Sequence, residues 1–460
     1  MILTLSLVLL YAAAIVLFGH LLLSQKSHAS MILWATWLFV FPPLGIPLYL
    51  VLGTEKIRKK PFADVSLMEI PETGLPDAST VPDLLEFLNH VDRSKLSTMS
   101  QPELLWGGEA FYEALLQSFE QADDFIHMQT YVWRDDECGS KVMEGLIQAV
   151  KRGVTVRLLI DEMGSYHTKK SFFDPFKEAG GHFSFVNTVQ TRRTRFFFNL
   201  RNHRKLCLLD GKTGFVGGMN IGNEYAGKSI GPWTDLQMRF TGPILCHLQN
   251  SFSEDWLFAT KETLNDSRYV PLQDETPAAV PAVMVQSGPD GREPVYLKSF
   301  NLVCSAARKR LDIYTPYFVP DPSILVTLQT ACARGVRVRM MIPTLNEHQY
   351  MVDIGRAYYE PLMDSGVEIY ELPGRVHHTK AFRVDEDLVF AGSHNLDVRS
   401  YKLNFELSLC FQHRETAEAM DEVFEDLFKQ AEKIDPDDFE NRPLFRKLKE
   451  GGVRLFGPVL

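Results

Sequence analysis

His203 and Lys205 stand two residues apart in "NHRKLCLLDGKTGFVGGMN" (202–220), a run that is mostly apolar between Lys205 and Asp210. In an extended strand residues i and i+2 project to the same face. The imidazole and the ammonium therefore point together. A core strand has no use for that pair, because a buried lysine is costly without an anionic partner. Gly217 and Gly218 follow, where backbone can approach a ligand closely, and Asn220 adds a neutral amide donor. The set returns at 378–395, "HTKAFRVDEDLVFAGSHN". There His378, Lys380, Asp385, Phe390, Gly392 and Asn395 repeat His203, Lys205, Asp210, Phe215, Gly217 and Asn220, each 175 residues on. The polar positions are kept while the apolar filler has drifted, the reverse of what a duplicated core requires. The pattern is that of a site built twice. One His, one Lys and one Asn per half suit a phosphate, as nucleophile or acid, cation and neutral donor. Placed about a pseudo-twofold axis, two imidazoles would face each other across one phosphorus.

The elements around these motifs repeat as well. From about residue 104 an α/β pattern sets in. "EAFYEALLQSFEQA" has helical spacing, "FIHMQTYVW" is strand-like, "GSKVMEGLIQAVKRG" is amphipathic and stops at Gly153, and "VTVRLLID" is a short apolar strand. The series recurs as "VYLKSFNLVCSAARK", "LDIYTPYFV", "PSILVTLQTACARG" and "VRVRMMIP". The junctions "KRGVTVRLLID" (151–161) and "ARGVRVRMMIP" (333–343) agree at six of eleven positions. This is a duplication, not a short solenoid period. The reading divides the chain into two membrane segments within 1–54 (about 2–24 and 31–53) and a Pro-rich linker at 55–100. A first half at 101–264, an inter-half linker at 265–292, a second half at 293–430 and a basic and apolar tail at 431–460 follow.

Composition bounds the rest. The chain has 460 residues and a net charge of −10, a poor prior for a nucleic-acid binder. Its six cysteines are scattered and read as buried, reduced thiols rather than a disulfide framework or zinc site. No metal and no cofactor is expected. Between Met1 and Thr54 the only formal charge is Lys26. Each of the two apolar runs is long enough to cross a hydrocarbon layer of about 30 Å as a helix. There is no basic n-region, which argues against a signal peptide. Pro42, Pro43 and Pro47 would kink or break the second span. Lys56, Arg58, Lys59 and Lys60 follow it, and the positive-inside rule then puts residue 55 onward in the cytoplasm.

The repeated constellation resembles the phospholipase D superfamily, whose motif HxK(x)4D(x)6G(G/S)xN both copies match at every position. "FPPLGIPLYLVLG" and "GSHNLDVRSYKLNFE" narrow the resemblance to bacterial cardiolipin synthases, over essentially the whole chain. It implies an α/β fold of two duplicated phospholipase D-like domains, each a mixed β-sheet flanked by helices, related by a pseudo-twofold and preceded by an N-terminal transmembrane hairpin. It implies that two phosphatidylglycerols are condensed to cardiolipin with release of glycerol, through a phosphohistidine. In that scheme His203, Lys205, Asp210, His378, Lys380 and Asp385 are the catalytic set, with His203 the nucleophile by family habit. Lys205, Lys380, Asn220 and Asn395 hold the phosphate, and Asp235 and Glu406 orient the histidines. The motif aspartates are more often structural than chemical in that family. The expected place is the bacterial cytoplasmic membrane, multi-pass, with the catalytic domain on the cytoplasmic side. A hydrolase using water, or a synthase using another alcohol or phosphatidylethanolamine, has the same motifs. A nuclease would not need residues 1–54. Oligomeric state is not legible.

"RRTRFFFNLR" places Arg192, Arg193 and Arg195 beside Phe196, Phe197 and Phe198 just before the first motif. That mixture fits an anionic membrane surface better than single-stranded nucleic acid in a chain with an apolar N-terminus. Arg442, Arg446, Lys447, Lys449 and Arg454 could serve similarly or form a solvated helix face. His127, His247, His377 and His394 read as structural histidines.

Overall fold

The computed structural model describes residues 2–24, 28–53, 82–186, 200–228, 231–269, 280–291, 293–346 and 349–454. The N-terminal residues form one compact unit and the α/β body another.

In the N-terminal unit the first apolar run is a single helix, Ile2–Leu22. Its stretch Thr4–Leu22 is long and apolar enough to cross a membrane, and no other helix among the described residues is. Leu5, Val8, Leu9, Ile15 and Val16 are exposed along it. The second run is broken, as its prolines require. His28–Val40 ends before Pro42, and Pro42–Leu48 starts a new short helix that runs into a π-turn at Tyr49–Gly53. Phe18 packs against Phe39, and Tyr49 lies beneath His20 and Trp34, with its hydroxyl 2.9 Å from His20 Nδ1.

The α/β body contains the same seven-strand order twice. The first sheet runs Glu103–Trp106, Leu236–Phe240, Thr213–Gly217, Leu206–Leu209, Phe125–Thr130, Thr155–Asp161, His182–Val186. The second runs Val280–Ser287, Asn404–Gln412, Leu388–Gly392, Ala381–Val384, Arg310–Tyr314, Arg337–Leu345, Glu368–His377. In each, the inner βαβ strands are parallel and the strands carrying the motif are antiparallel to their neighbours. The helices Glu137–Lys151 and Pro322–Ala333 begin at matched caps, Asp136 and Asp321, whose carboxylates accept from backbone N–H groups of the first turn. One core cluster is shared by the halves, bringing Phe125, Leu159, Val216, Phe252 and Trp256 together with Tyr314, Met341, Leu407, Phe411 and Phe424. All six cysteines are free and five are buried.

Three segment assignments are corrected. The expected linker to residue 100 ends in a helix, Asp83–Asn89, and a strand, Ser94–Met99, which pairs antiparallel with Val280–Ser287. That partner strand lies inside the expected inter-half linker, so the second half begins earlier than its composition suggests. The expected tail is ordered too. Glu432–Lys433 adds to the edge strand Glu368–His377, and helices Pro436–Glu440 and Leu444–Arg454 follow.

Candidate active site

Each motif histidine follows a strand that pairs with a strand leading to or carrying the carboxylate of the opposite half. Arg201–Asn202 runs parallel to Asn404–Gln412, and His203 N donates to Phe405 O at 2.9 Å. Reciprocally, Glu368–His377 runs parallel to Trp233–Thr234, and His378 N donates to Thr234 O at 2.7 Å. The next residue in each carboxylate strand therefore meets the facing imidazole. His203 Nδ1 lies 2.8 Å from Glu406 Oε2, and His378 Nδ1 lies 2.6 Å from Asp235 Oδ2. The carboxylates are exchanged: Asp235 follows the first motif yet serves the second, and Glu406 the converse. Such self-complementary contact is the mark of a twofold relation. With Nδ1 held by a carboxylate, the Nε2 lone pair of a neutral imidazole is left for chemistry.

The two carboxylates are fully buried but differently surrounded. Glu406 accepts from neutral donors, Ser393 Oγ at 2.6 Å, Ser400 Oγ at 2.9 Å and Asn404 Nδ2 at 3.1 Å. Burial outweighs those bonds and raises its pKa. For Asp235 burial acts upward too, but Lys380, whose Nζ is 3.9 Å from Oδ2, and His378 outweigh it, and the carboxyl is held below its ordinary range. Both imidazoles are pushed down, first by burial and then by the lysines: His203 well below its usual value and His378 to about 3. Lys205 and Lys380 each depress both histidines, which puts all four groups within electrostatic reach. In the free protein both rings are neutral near pH 7.

Lys205 and Lys380 are buried, 2% and 4% exposed. Lys205 Nζ donates to His203 O at 2.8 Å and lies 5.5 Å from the Tyr131 ring centroid. Lys380 Nζ donates to His378 O and stands 2.7 Å from His378 Nδ1. Burial pushes Lys205 well down. The two buried lysines stand among two neutral imidazoles and two carboxylates, and a phosphodiester brought beside them would favour their charged form. Tyr131 borders His203 with centroids 4.9 Å apart, and Trp233 borders His378 at 5.3 Å. Neither aromatic was singled out from the sequence. The one available signal was their position at the ends of apolar strands.

Asp210 and Asp385, expected in the catalytic set, make backbone contacts at the far end of their strands. Each sits in a turn with positive φ, 54° and 48°. Asp210 accepts from the backbone N–H groups of Asp123, Asp124 and Phe125 at 2.8–2.9 Å. Asp385 does the same for Arg308, Lys309 and Arg310. Five residues beyond each lysine along a strand, they lie about 16 Å from the ammonium-bearing positions. The motif glycines approach protein, not ligand. A Cβ at Gly218 would stand 2.3 Å from Asp235 Oδ1, and one at Gly392 2.4 Å from Leu407 O. Where Gly218 makes room for Asp235, the equivalent Ser393 donates to Glu406.

Asn220 is pinned: its Oδ1 accepts from Val132 N at 3.1 Å and its Nδ2 donates to Tyr225 OH at 3.0 Å. The Asn395 side-chain oxygen is buried without a partner. His127, His247 and His394 are buried, and His394 lies within electrostatic reach of His203 and Glu406. His127 Nδ1 meets Gln249 Oε1 at 2.9 Å, and His394 bridges Ser287 and Ser408. His377 is buried with both ring nitrogens unpartnered. Arg192, Arg193, Arg195 and Phe196–Phe198 lie outside the described residues. Among the described residues no cluster of His, Cys, Asp and Glu is arranged to hold a metal.

The family model described as cardiolipin synthase, PLD-like domain, matches residues 115–256 and 303–428, one match per half. The cardiolipin synthase of Alkalihalophilus pseudofirmus is 31% identical, over 99% of this chain and 94% of its own length. The major cardiolipin synthase ClsA of Bacillus subtilis is 31% identical, over 95% of each chain. Among solved structures, the phosphatidylserine synthase of Haemophilus influenzae superposes with a TM-score of 0.62 at 15% identity, covering 82% of this chain and 99% of that one, a likeness of fold. Two motifs, two matched domains and near-full-length relatives agree: the chain belongs to the bacterial cardiolipin synthases, enzymes of the two-motif phospholipase D superfamily.

Proposed function

We propose that this chain joins two phosphatidylglycerols into cardiolipin and glycerol through a phosphatidyl-histidine. The observation that carries the reading is the pair of exchanged imidazole–carboxylate contacts around two buried lysines. His203 Nε2 attacks phosphorus of the first lipid, the N–P bond forms and the P–O bond to glycerol breaks. His378 gives that oxygen its proton, so glycerol leaves neutral. The low pKa of His378 in the free protein comes from burial and then Lys380, and a bound phosphodiester supplies the opposing charge that lifts it. His378, now neutral, takes the proton from the terminal hydroxyl of the second phosphatidylglycerol. That oxygen displaces His203 and the phosphatidyl group is transferred. Lys205 and Lys380 carry the negative charge that spreads over the phosphoryl oxygens, and the amides of Asn220 and Asn395 complete the cradle. Water must be kept out while the hydroxyl enters.

The chain is read as working at the bacterial cytoplasmic membrane. Ile2–Leu22 supports one span. A second segment over 28–53, and a cytoplasmic α/β body after Lys56, Arg58, Lys59 and Lys60, complete the proposed topology.

Purified protein given phosphatidylglycerol alone should yield a four-chain lipid and free glycerol by mass spectrometry. Phosphatidic acid as the sole product would make it a hydrolase. The histidine roles are separable with a phosphatidyl donor carrying a good leaving group, which needs no acid. His378→Ala should then accumulate a phosphatidyl-enzyme on His203, and His203→Ala should accumulate none. Labelling of the His203→Ala variant at His378 would reverse the assignment.

A further inference from the structure

The helix Leu444–Arg454 turns its large apolar residues away from the protein. Leu444, Phe445 and Leu448 are 71%, 79% and 65% exposed. At i, i+1 and i+4 they share one face. The side against the body is polar and paired. Glu450 is buried and accepts from Arg442 Nε at 2.8 Å, Lys449 Nζ reaches Asp353 Oδ2 at 2.7 Å, and the Arg454 guanidinium sits 4.4 Å from the Tyr358 ring centroid. Ion pairs fix this helix while its apolar stripe faces outward, the inverse of a surface helix that packs on a core. Arg446 and Lys447 flank the stripe, Arg446 about 100° beyond Phe445 and Lys447 about 60° from Leu444 on the other side.

Its position ties it to the histidines. Val453 shares a small apolar cluster with Val319, Met351, Ile354, Tyr317 and Val398. Tyr317 is partly exposed and its ring centroid lies 6.5 Å from that of His378. Val398 opens the short helix whose Ser400 donates to Glu406, the partner of His203.

We infer that Leu444–Arg454 docks on the anionic surface of a bilayer, with Leu444, Phe445 and Leu448 in the interface and Arg446 and Lys447 against lipid phosphates, on the side of the body where Tyr317 borders His378. A second protein copy is the poorer occupant. Three side chains offer roughly 500 Å², while a stable interface of standard size takes about 800 Å² from each partner. An apolar stripe flanked by cations on one helix is instead the pattern of an interfacial helix. Docking does not depend on the transfer reading. Only the benefit to catalysis rests on it.

The test uses the full chain in nanodiscs of phosphatidylethanolamine and phosphatidylglycerol, with and without brominated acyl chains. A bimane label on Leu448→Cys, in a Cys332→Ser background, should be quenched about twofold by the brominated lipid. Equal brightness in both discs overturns docking, whatever the enzyme's activity. The solvent-facing triple variant Leu444→Ser/Phe445→Ser/Leu448→Ser should raise KM for bilayer phosphatidylglycerol about fivefold and leave turnover of a soluble short-chain phosphatidylglycerol unchanged. Equal losses on both substrates would mean damage to the site and overturn the catalytic benefit. A halved mass by light scattering for the triple variant would assign the stripe to a second copy. A protein that is quenched but transfers no lipid keeps the docking and loses the transfer reading.

Discussion

His203 and His378 carry the same imidazole–carboxylate pair in two electrostatic settings. Asp235 faces the Lys380 ammonium at 3.9 Å and is held ionised, whereas Glu406 is held by two hydroxyls and an amide and is pushed up by burial. Both carboxylates orient a ring, so Asp235→Asn and Glu406→Gln should each lower kcat by about 10²–10⁴-fold. Their structural costs should part. Removing the charge of Asp235 takes an ionic contact from the buried Lys380 and from His378, a loss of about 3–5 kcal/mol. Glu406→Gln keeps one acceptor oxygen for Ser400 and Asn404, and its amide can donate to the Ser393 hydroxyl, so its loss should be the smaller of the two. Denaturant midpoints of the two variants, measured beside turnover, check this. A Glu406→Gln variant less stable than Asp235→Asn would show that the neutral network, and not the ion pair, anchors the site.

At the scale of elements, the motif aspartates tie each motif strand to the start of the neighbouring strand. Asp210→Ala removes the acceptor for three backbone N–H groups and puts alanine at a φ of 54°. The expected destabilisation is about 1.5–3 kcal/mol. Asp210→Asn keeps an acceptor and tolerates the left-handed turn, so it should cost under about 1 kcal/mol. Neither should change KM at low temperature, because the turn lies a strand's length from the lysines. A large KM change with unaltered stability would return Asp210 to the chemistry. The strand and helix alternation and both motifs were legible because they rest on local periodicity and on a pattern written twice, whereas Asp235 and Glu406 were named only through the family resemblance. The exchange of Asp235 and Glu406 between halves was not legible, since only the packing of the halves defines it. Val280–Ser287 was hidden by Pro281, which removes a ladder donor and makes the run resemble a linker. Ser94–Met99 was hidden by its polar residues, which suit an edge strand. The helix Leu444–Arg454 was visible as a basic run, but which face it turns outward depends on the body beneath it.

Across the whole molecule, burying the contact between the halves also buries imidazoles. His127, His377, His378 and His394 are held at a pKa of about 3 and His247 at about 4, chiefly by burial. The sign of the consequence is fixed. In the unfolded chain these rings bind protons as pH falls through about 6.5, while in the fold they stay neutral. Below that pH the unfolded state binds more protons, so stability falls as pH falls, by up to about 1.4 kcal/mol per pH unit for each such ring. The loss begins near pH 6.5 and continues toward pH 4, a window in which carboxylate pairs such as Glu368 with Arg337, held at about 2, are still intact. Urea midpoints of detergent-solubilised protein should therefore be flat above pH 7 and drop steeply between pH 6.5 and 5. A flat profile down to pH 5 would mean that the buried rings take up protons in place. Because the four rings near pKa 3 come from both halves, the fall should be one cooperative transition, with tryptophan fluorescence and loss of activity following the same curve. Separate acid transitions for the two halves would show that their shared core, from Phe125 and Trp256 to Tyr314 and Phe424, does not couple them.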